Sequence, residues 1–194
     1  MFYKFARSLF KLFFLIFFRL KVSGKEKIPA KGPLIVCSNH FSWLDPPLVA
    51  CTIDDRQLFF MAKAELFKIF ILSFIIRKLG AFPVKRDTAD RRAIKHAFKL
   101  LEEGKSLGLF PEGTRSKTGE TQTPFNGVAF LAIKSGAPVL PVGIKGPYKF
   151  RKPVEVNIGE PLRFTEENCR SRGRKLTDIS ENIMQEIKQL TKDC

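Results

Sequence analysis

Two residues in Asn39-His40-Phe41-Ser42-Trp43-Leu44-Asp45-Pro46 have the types that general base catalysis requires: the imidazole of His40 and the carboxylate of Asp45. A neutral imidazole can accept a proton near pH 7, and a carboxylate on its second nitrogen fixes the tautomer and stabilises the cation that forms. The two stand five positions apart, which on one continuous helix would point their side chains about 140° apart. They can meet only across a turn. Leu34-Ile35-Val36-Cys37 ahead of them reads as a buried strand, and Asp45-Pro46-Pro47 reads as the start of a helix. Asp45 therefore has two open readings, as the cap of that helix or as the orienter of His40.

Two further polar clusters follow apolar runs. Lys85-Arg86 comes after Leu79 to Val84, and Glu112-Gly113-Thr114-Arg115 comes after Ser106 to Phe110. Lys85, Arg86 and Arg115 offer cations for a phosphate, and arginine can bind one bidentately. Glu112 can hold Arg115 or a substrate hydroxyl. In α/β sheets ligands bind beyond the carboxyl ends of strands, so three strand-end clusters can converge on one site. Cys37 and Ser42 are the nearby candidate nucleophiles. Cys37 belongs to the apolar strand and reads as a buried structural thiol. Neither a G-x-S-x-G elbow nor a P-loop pattern occurs.

The elements that must position these residues alternate. Strands are predicted at Leu34–Cys37, Gln57–Met61, Ser106–Phe110, Pro138–Ile144 and Val154–Ile158. Helices are predicted at Pro47–Ile53, Glu65–Lys78, Thr88–Glu103, Gly127–Ser135 and Asp178–Leu190. That pattern predicts a single α/β domain with a largely parallel or mixed sheet covered by helices. Pro141 inside a strand predicts a sheet edge or a bulge. Glu65–Lys78 is apolar on nearly every face, so it is read as buried or dipped into a membrane. His96, on the polar side of its helix, is read as solvated.

Residues 2–20 are rich in Phe, Leu and Ile, with Lys4, Arg7 and Lys11 as a basic stripe. The uninterrupted run from Leu12 to Phe18 covers roughly 10 Å of helix against a hydrocarbon core of about 30 Å. With no small-x-small cleavage site after it, the segment is expected to lie in the membrane interface, residues 1–20 anchoring a domain over 21–194; a short tilted span or signal segment ending at Arg19 and an ordinary core helix are the alternatives. Lys and Arg number 34 against 19 Asp and Glu, a net charge of +15 that favours an anionic partner. Twenty phenylalanines against two tyrosines and one tryptophan, placed in apolar blocks, favour lipid over nucleic acid. Four cysteines without C-x-x-C spacing and only two histidines argue against zinc or a disulfide framework, and for a reducing cytosolic setting.

Taken together the blocks resemble the glycerolipid acyltransferase family, the 1-acylglycerol-3-phosphate acyltransferases. His40 to Asp45 looks like its H-x-x-x-x-D motif, and Gly80 to Arg86 resembles its second block. Phe110-Pro111-Glu112-Gly113-Thr114-Arg115-Ser116 matches its third block and Val139-Leu140-Pro141-Val142 its fourth, in family order. The resemblance implies acyl transfer from acyl-CoA or acyl-carrier protein to the hydroxyl of lysophosphatidic acid in phospholipid biosynthesis. It implies no metal, no cofactor beyond the co-substrate and no covalent acyl-enzyme; with the basic apolar N-terminus and the net charge, a peripheral or monotopic seat on the cytoplasmic face of an anionic membrane is expected. By the same resemblance His40 is the base and Asp45 its partner. Lys85, Arg86, Glu112, Gly113, Thr114 and Arg115 bind the acceptor, and Pro141 shapes the pocket. The alternatives are another lysolipid acceptor, or a non-catalytic lipid-binding module of the same fold.

Overall fold

Every residue of Leu34–Ser38 is buried, because this strand runs through the middle of a sheet covered by helices on both faces. The computed structural model describes residues 1–53, 56–85, 90–115, 124–167, 173 and 175–192. In chain order the elements are α1 (Phe2–Phe17), β1 (Arg19–Ser23), β2 (Leu34–Ser38), α2 (Asp45–Thr52), β3 (Leu58–Lys63), α3 (Phe70–Lys78), β4 (Ala81–Val84), α4 (Arg91–Glu102), β5 (Ser106–Leu109), α5 (Gly127–Ser135), β6 (Val139–Lys145), β7 (Pro153–Ile158) and α6 (Leu176–Lys192). The sheet order is β1-β7-β6-β2-β5-β3-β4, and neighbours are parallel except for the antiparallel pair β6 and β7. This is the expected α/β domain, with a mixed sheet.

Alternation along β2 divides the core. Leu34 and Val36 pack with Phe14 of α1 and Leu48 and Val49 of α2. Ile35 and Cys37 pack on the other face with Ala97, Leu101, Leu131 and Ile183 of α4, α5 and α6. A strand flanked by helices on both faces is apolar at every position, which is why Leu34–Cys37 shows no polar alternation.

The structure departs from the sequence reading at the end of the first helix, over residues 65–78 and at the start of the helix expected from Thr88. The first helix stops at Phe17 rather than residue 20, and Arg19–Ser23 is a strand paired with β7. Half-buried Leu20 and Val22 alternate with exposed Arg19, Lys21 and Ser23, a period of two that outlasts the helical pattern. With Phe14 fully buried and Phe18 nearly so, α1 is packed onto the domain, and the chain passes residue 20 within a strand. The expected helix over 65–78 is a short 3-10 turn, Ala64–Lys68, then α3, with Ile69 extended between them. None of α3 is buried: Phe70 is 87% and Ile71 71% exposed, so its apolar surface faces outward rather than into the core.

Pro141 is not at an edge, since β6 lies between β7 and β2. It sits opposite a bulge. β6 pairs with Ile158 at Val142 and with Leu162 at Val139, so Leu140 and Pro141 face the longer stretch Gly159-Glu160-Pro161. The Pro141 carbonyl accepts from the Gly159 amide at 2.9 Å, and the bulge relieves the ladder of the donor that proline lacks. The helix expected from Thr88 begins at Arg91, where Asp90 accepts hydrogen bonds from the Arg92 and Ala93 amides; residues 86–89 lie outside the described set. His96 is exposed as expected, its ring edge-on to Phe82.

Candidate active site

β2, β3, β4, β5 and β6 run in one direction, so their carboxyl ends share one rim of the sheet. Asn39, just past β2, clamps that rim. Its side-chain amide donates to the Ile144 carbonyl at 2.9 Å and its side-chain oxygen accepts from the Ile144 amide at 2.8 Å. The side chain thus extends strand pairing beyond the backbone and fixes where His40 emerges. The chain then turns through Ser42, whose carbonyl accepts from the Asp45 amide, and enters α2 at Asp45.

The turn resolves the two readings of Asp45. Its carboxylate makes no cap to α2. Oδ2 instead accepts from the amides of Phe41 at 2.7 Å and Ser42 at 2.6 Å, and lies 2.8 Å from His40 Nδ1. Oδ1 accepts from the hydroxyl of Tyr148 at 2.7 Å. Asp45 is wholly buried, and His40 keeps 11% of its side chain exposed. A buried carboxylate is costly unless hydrogen-bonded, and these groups satisfy both of its oxygens. Facing an ionised carboxylate, Nδ1 carries the proton, which leaves Nε2 as the ring nitrogen with a lone pair for a substrate. The ring is stacked on Phe110 at 4.1 Å between centroids, which sets its tilt.

The segment after β5 wraps the same place. The buried Glu112 accepts from the His40 amide through Oε1 at 3.4 Å. Gly113, with φ 66°, closes a turn through a hydrogen bond to the Phe110 carbonyl, and a Cβ there would stand 2.5 Å from the Phe125 ring. Thr114 and Arg115 are exposed at the rim. The Arg115 guanidinium lies 4.0 Å above the Trp43 ring, a cation–π contact that holds the charge beside His40.

A cavity of about 430 Å³ opens at His40, Trp43, Phe110 and Arg115. Its walls are apolar for most of their extent: Tyr3 and Phe10 of α1, Pro46, Pro47, Ala50 and Cys51 of α2, Phe60 and Met61 of β3, and Leu72, Ile75 and Ile76 of α3. Two cations not anticipated from sequence, Arg7 of α1 and Lys63 at the end of β3, also line it. Lys85 is exposed and does not; its backbone amide donates to Asp90. Arg86 lies outside the described residues. Pro141 is one strand away beside Cys37 and does not line this cavity.

Cys37 faces the opposite side of the sheet from α2, and burial pushes its thiol well above the usual range, so it stays protonated. Ser42 uses its hydroxyl to accept from the Leu44 amide. Sequence reasoning missed Tyr148. It follows β6 just as His40 follows β2, so the strand-end rule extended to Pro147-Tyr148 would have pointed to it. Burial and the neighbouring Asp45 charge raise its phenol, so it remains a donor.

A family model described as Acyltransferase matches residues 19–145, a span that holds β1 to β6 and every site residue named above except Tyr148 and those of α1. The chain belongs to the acyltransferase family. It is 32% identical over 193 residues to a Bacillus subtilis protein named 1-acyl-sn-glycerol-3-phosphate acyltransferase, a match covering 97% of this chain and 96% of that one. It is 32% identical over 129 residues to a Pseudomonas aeruginosa lyso-ornithine lipid O-acyltransferase, covering 66% of this chain and 47% of that one. Among solved structures, the 1-acyl-sn-glycerophosphate acyltransferase of Thermotoga maritima superimposes with a TM-score of 0.76 at 30% identity, covering 96% of this chain and 77% of that one.

For an acyltransferase the arrangement has a direct chemical use. A base at the mouth of an apolar cavity can deprotonate an alcohol where an acyl chain ends, and a fixed cation beside it can hold an anionic part of the acceptor. Neither Cys37 nor Ser42 lines the cavity.

Proposed function

We propose that this acyltransferase moves a fatty acyl group from a thioester donor, acyl-CoA or acyl-carrier protein, to the free hydroxyl of 1-acylglycerol-3-phosphate, giving phosphatidic acid. The observation that carries the reading is the placement of His40 and the Trp43-stacked Arg115 together at the mouth of an apolar cavity. His40 Nε2 takes the hydroxyl proton as the acceptor oxygen attacks the thioester carbonyl. The ester C–O bond forms, the C–S bond breaks, and the imidazolium returns the proton to the departing thiolate. Asp45 balances the charge on the ring while it is cationic. Arg115 engages the phosphate, with Arg7 and Lys63 as further cations along the wall.

A lipid acceptor must be reached from a bilayer. Among the described residues no helix is long and apolar enough to cross a membrane. The outward faces of α1 (Phe5, Leu9, Leu12, Ile16) and α3 (Phe70, Ile71, Phe74) are apolar and exposed, and both helices wall the cavity. In our reading these faces dip into the interface of an anionic membrane on its cytoplasmic side, delivering acyl chains sideways into the cavity.

Purified protein with mixed lipid vesicles, competing lysolipids and both thioester donors tests the assignment, with products separated by mass spectrometry. Phosphatidic acid is expected to dominate, and to fall at least tenfold in an Arg115→Ala variant. Faster acylation of a phosphate-free lysolipid such as lyso-ornithine lipid would overturn the acceptor assignment.

A further inference from the structure

The two oxygens of Asp45 are served unequally. Oδ2 takes three partners, His40 Nδ1 and the amides of Phe41 and Ser42. Among the described residues Oδ1 takes the hydroxyl of Tyr148, at 2.7 Å. Three donors already pin Oδ2, and Tyr148 is the donor that meets the charge on the oxygen turned away from His40.

Tyr148 is itself held firmly. Its ring lies against Phe41, with centroids 5.5 Å apart, and meets Phe18 edge-on at 5.7 Å. The loop that carries it is laced to the end of α1: the Arg151 amide donates to the Phe17 carbonyl at 2.8 Å, the Arg19 amide donates to the Lys152 carbonyl at 3.1 Å, and the Phe17 and Phe150 rings touch. Yet Tyr148 does not line the cavity.

We infer that Tyr148 is a positioning residue for the catalytic pair, holding Oδ1 of Asp45 and drawing off part of the carboxylate's negative charge, with the end of α1 as its fixed support. The kinetic part of this inference rests on the acyl transfer proposed above; the electrostatic part does not. Among the described residues the charged and titratable groups facing His40 or lining its cavity are Asp45 and Cys51 of α2, Glu112 and Arg115 of the segment after β5, Lys63 of β3, and Tyr3 and Arg7 of α1. Of these only Asp45 is hydrogen-bonded to Tyr148, so a change at Tyr148 reaches His40 through that carboxylate.

The test is an NMR titration of the His40 ring in the full chain, wild type against Tyr148→Phe. The chain has two histidines, and His96, exposed on α4, serves as the internal reference. Without the phenol's hydrogen bond the carboxylate's charge is concentrated on the imidazole side, the imidazolium is favoured, and the His40 midpoint should move up by about half a pH unit. His96 should stay put. Acyl transfer should show kcat reduced roughly three- to tenfold with KM unchanged, and the acid limb of the kcat profile shifted the same way. Site-specific 3-fluorotyrosine at 148, a stronger donor, should move the His40 midpoint down, and it decides the matter if Tyr148→Phe does not fold. A lowered melting temperature with neither the His40 midpoint nor kcat changed would overturn the inference, leaving Tyr148 a packing residue. Wild-type protein without turnover on any lysolipid would instead defeat the functional reading, while the titration still decides the role of Tyr148.

Discussion

Replacing Asp45 by asparagine removes one charge from a site whose hydrogen bonds dictate how the new side chain must sit. The Phe41 and Ser42 amides both point at Oδ2, so the asparagine carbonyl oxygen has to occupy that position; its NH2 group there would face two donors. The NH2 group then faces Tyr148, whose hydroxyl can rotate to accept. His40 Nδ1–H still meets an oxygen, so the tautomer survives and the loss is electrostatic. At an effective dielectric near 20, unit charges about 4 Å apart attract by about 4 kcal/mol. The amide dipole recovers part of that, leaving a deficit of about 2 to 3 kcal/mol, or a fall in kcat of roughly 30- to 150-fold. Asp45→Ala differs in kind: it strands two amides and a phenol in a buried site and should cost about 3 to 5 kcal/mol of stability. Initial rates with a thioester donor and 1-acylglycerol-3-phosphate, beside thermal melts of both variants, make the comparison. An asparagine variant that melts like wild type and turns over within about threefold of it would refute the claim that the carboxylate stabilises an imidazolium.

Three further outcomes follow from single observations. Gly108→Ala places a methyl 2.2 Å from the Phe60 ring, so urea denaturation should show a loss of about 1 to 3 kcal/mol, and an unchanged midpoint would contradict the packing described. Burial raises the phenols of Tyr3 and Tyr148 above their ordinary value, so the folded chain keeps these protons above pH ~10 while the unfolded chain releases them. Their contribution to stability is complete below that pH and is lost as pH rises; the decline in melting temperature between pH 9 and 11 should be shallower in Tyr148→Phe, and an equal slope would count against it. Cys37→Ala should keep acyl transfer within about twofold, since the thiol lies on the far side of the sheet; a folded variant that loses most activity would reinstate a cysteine mechanism.

The sheet was legible because runs such as Leu34–Cys37 and Ser106–Leu109 are apolar without alternation and end in polar turns, and strand ends on one rim bring such turns together. β1 was hidden because only Leu20 and Val22 mark it, directly after a phenylalanine-rich helix. Tyr148 reaches Asp45 across 103 positions of sequence, a pairing no local pattern encodes. The cations were the hardest to place. Lys63 pairs with Val84 across β3 and β4, so it and Lys85 end neighbouring strands one step out of register; both are exposed, but the pleat turns Lys63 to the cavity and Lys85 away from it. Arg7 read as part of the basic stripe of an interfacial helix because nothing in residues 2–17 tells that α1 turns that flank towards α2.

All of the proposed chemistry depends on His40 acting as the base for direct acyl transfer. The turnover of a folded His40→Ala variant, measured with 1-acylglycerol-3-phosphate and a thioester donor at neutral pH, tests it most directly. Turnover is predicted to fall by roughly 10²- to 10⁴-fold with the melting temperature little changed. Wild-type turnover in that variant would rule His40 out as the base.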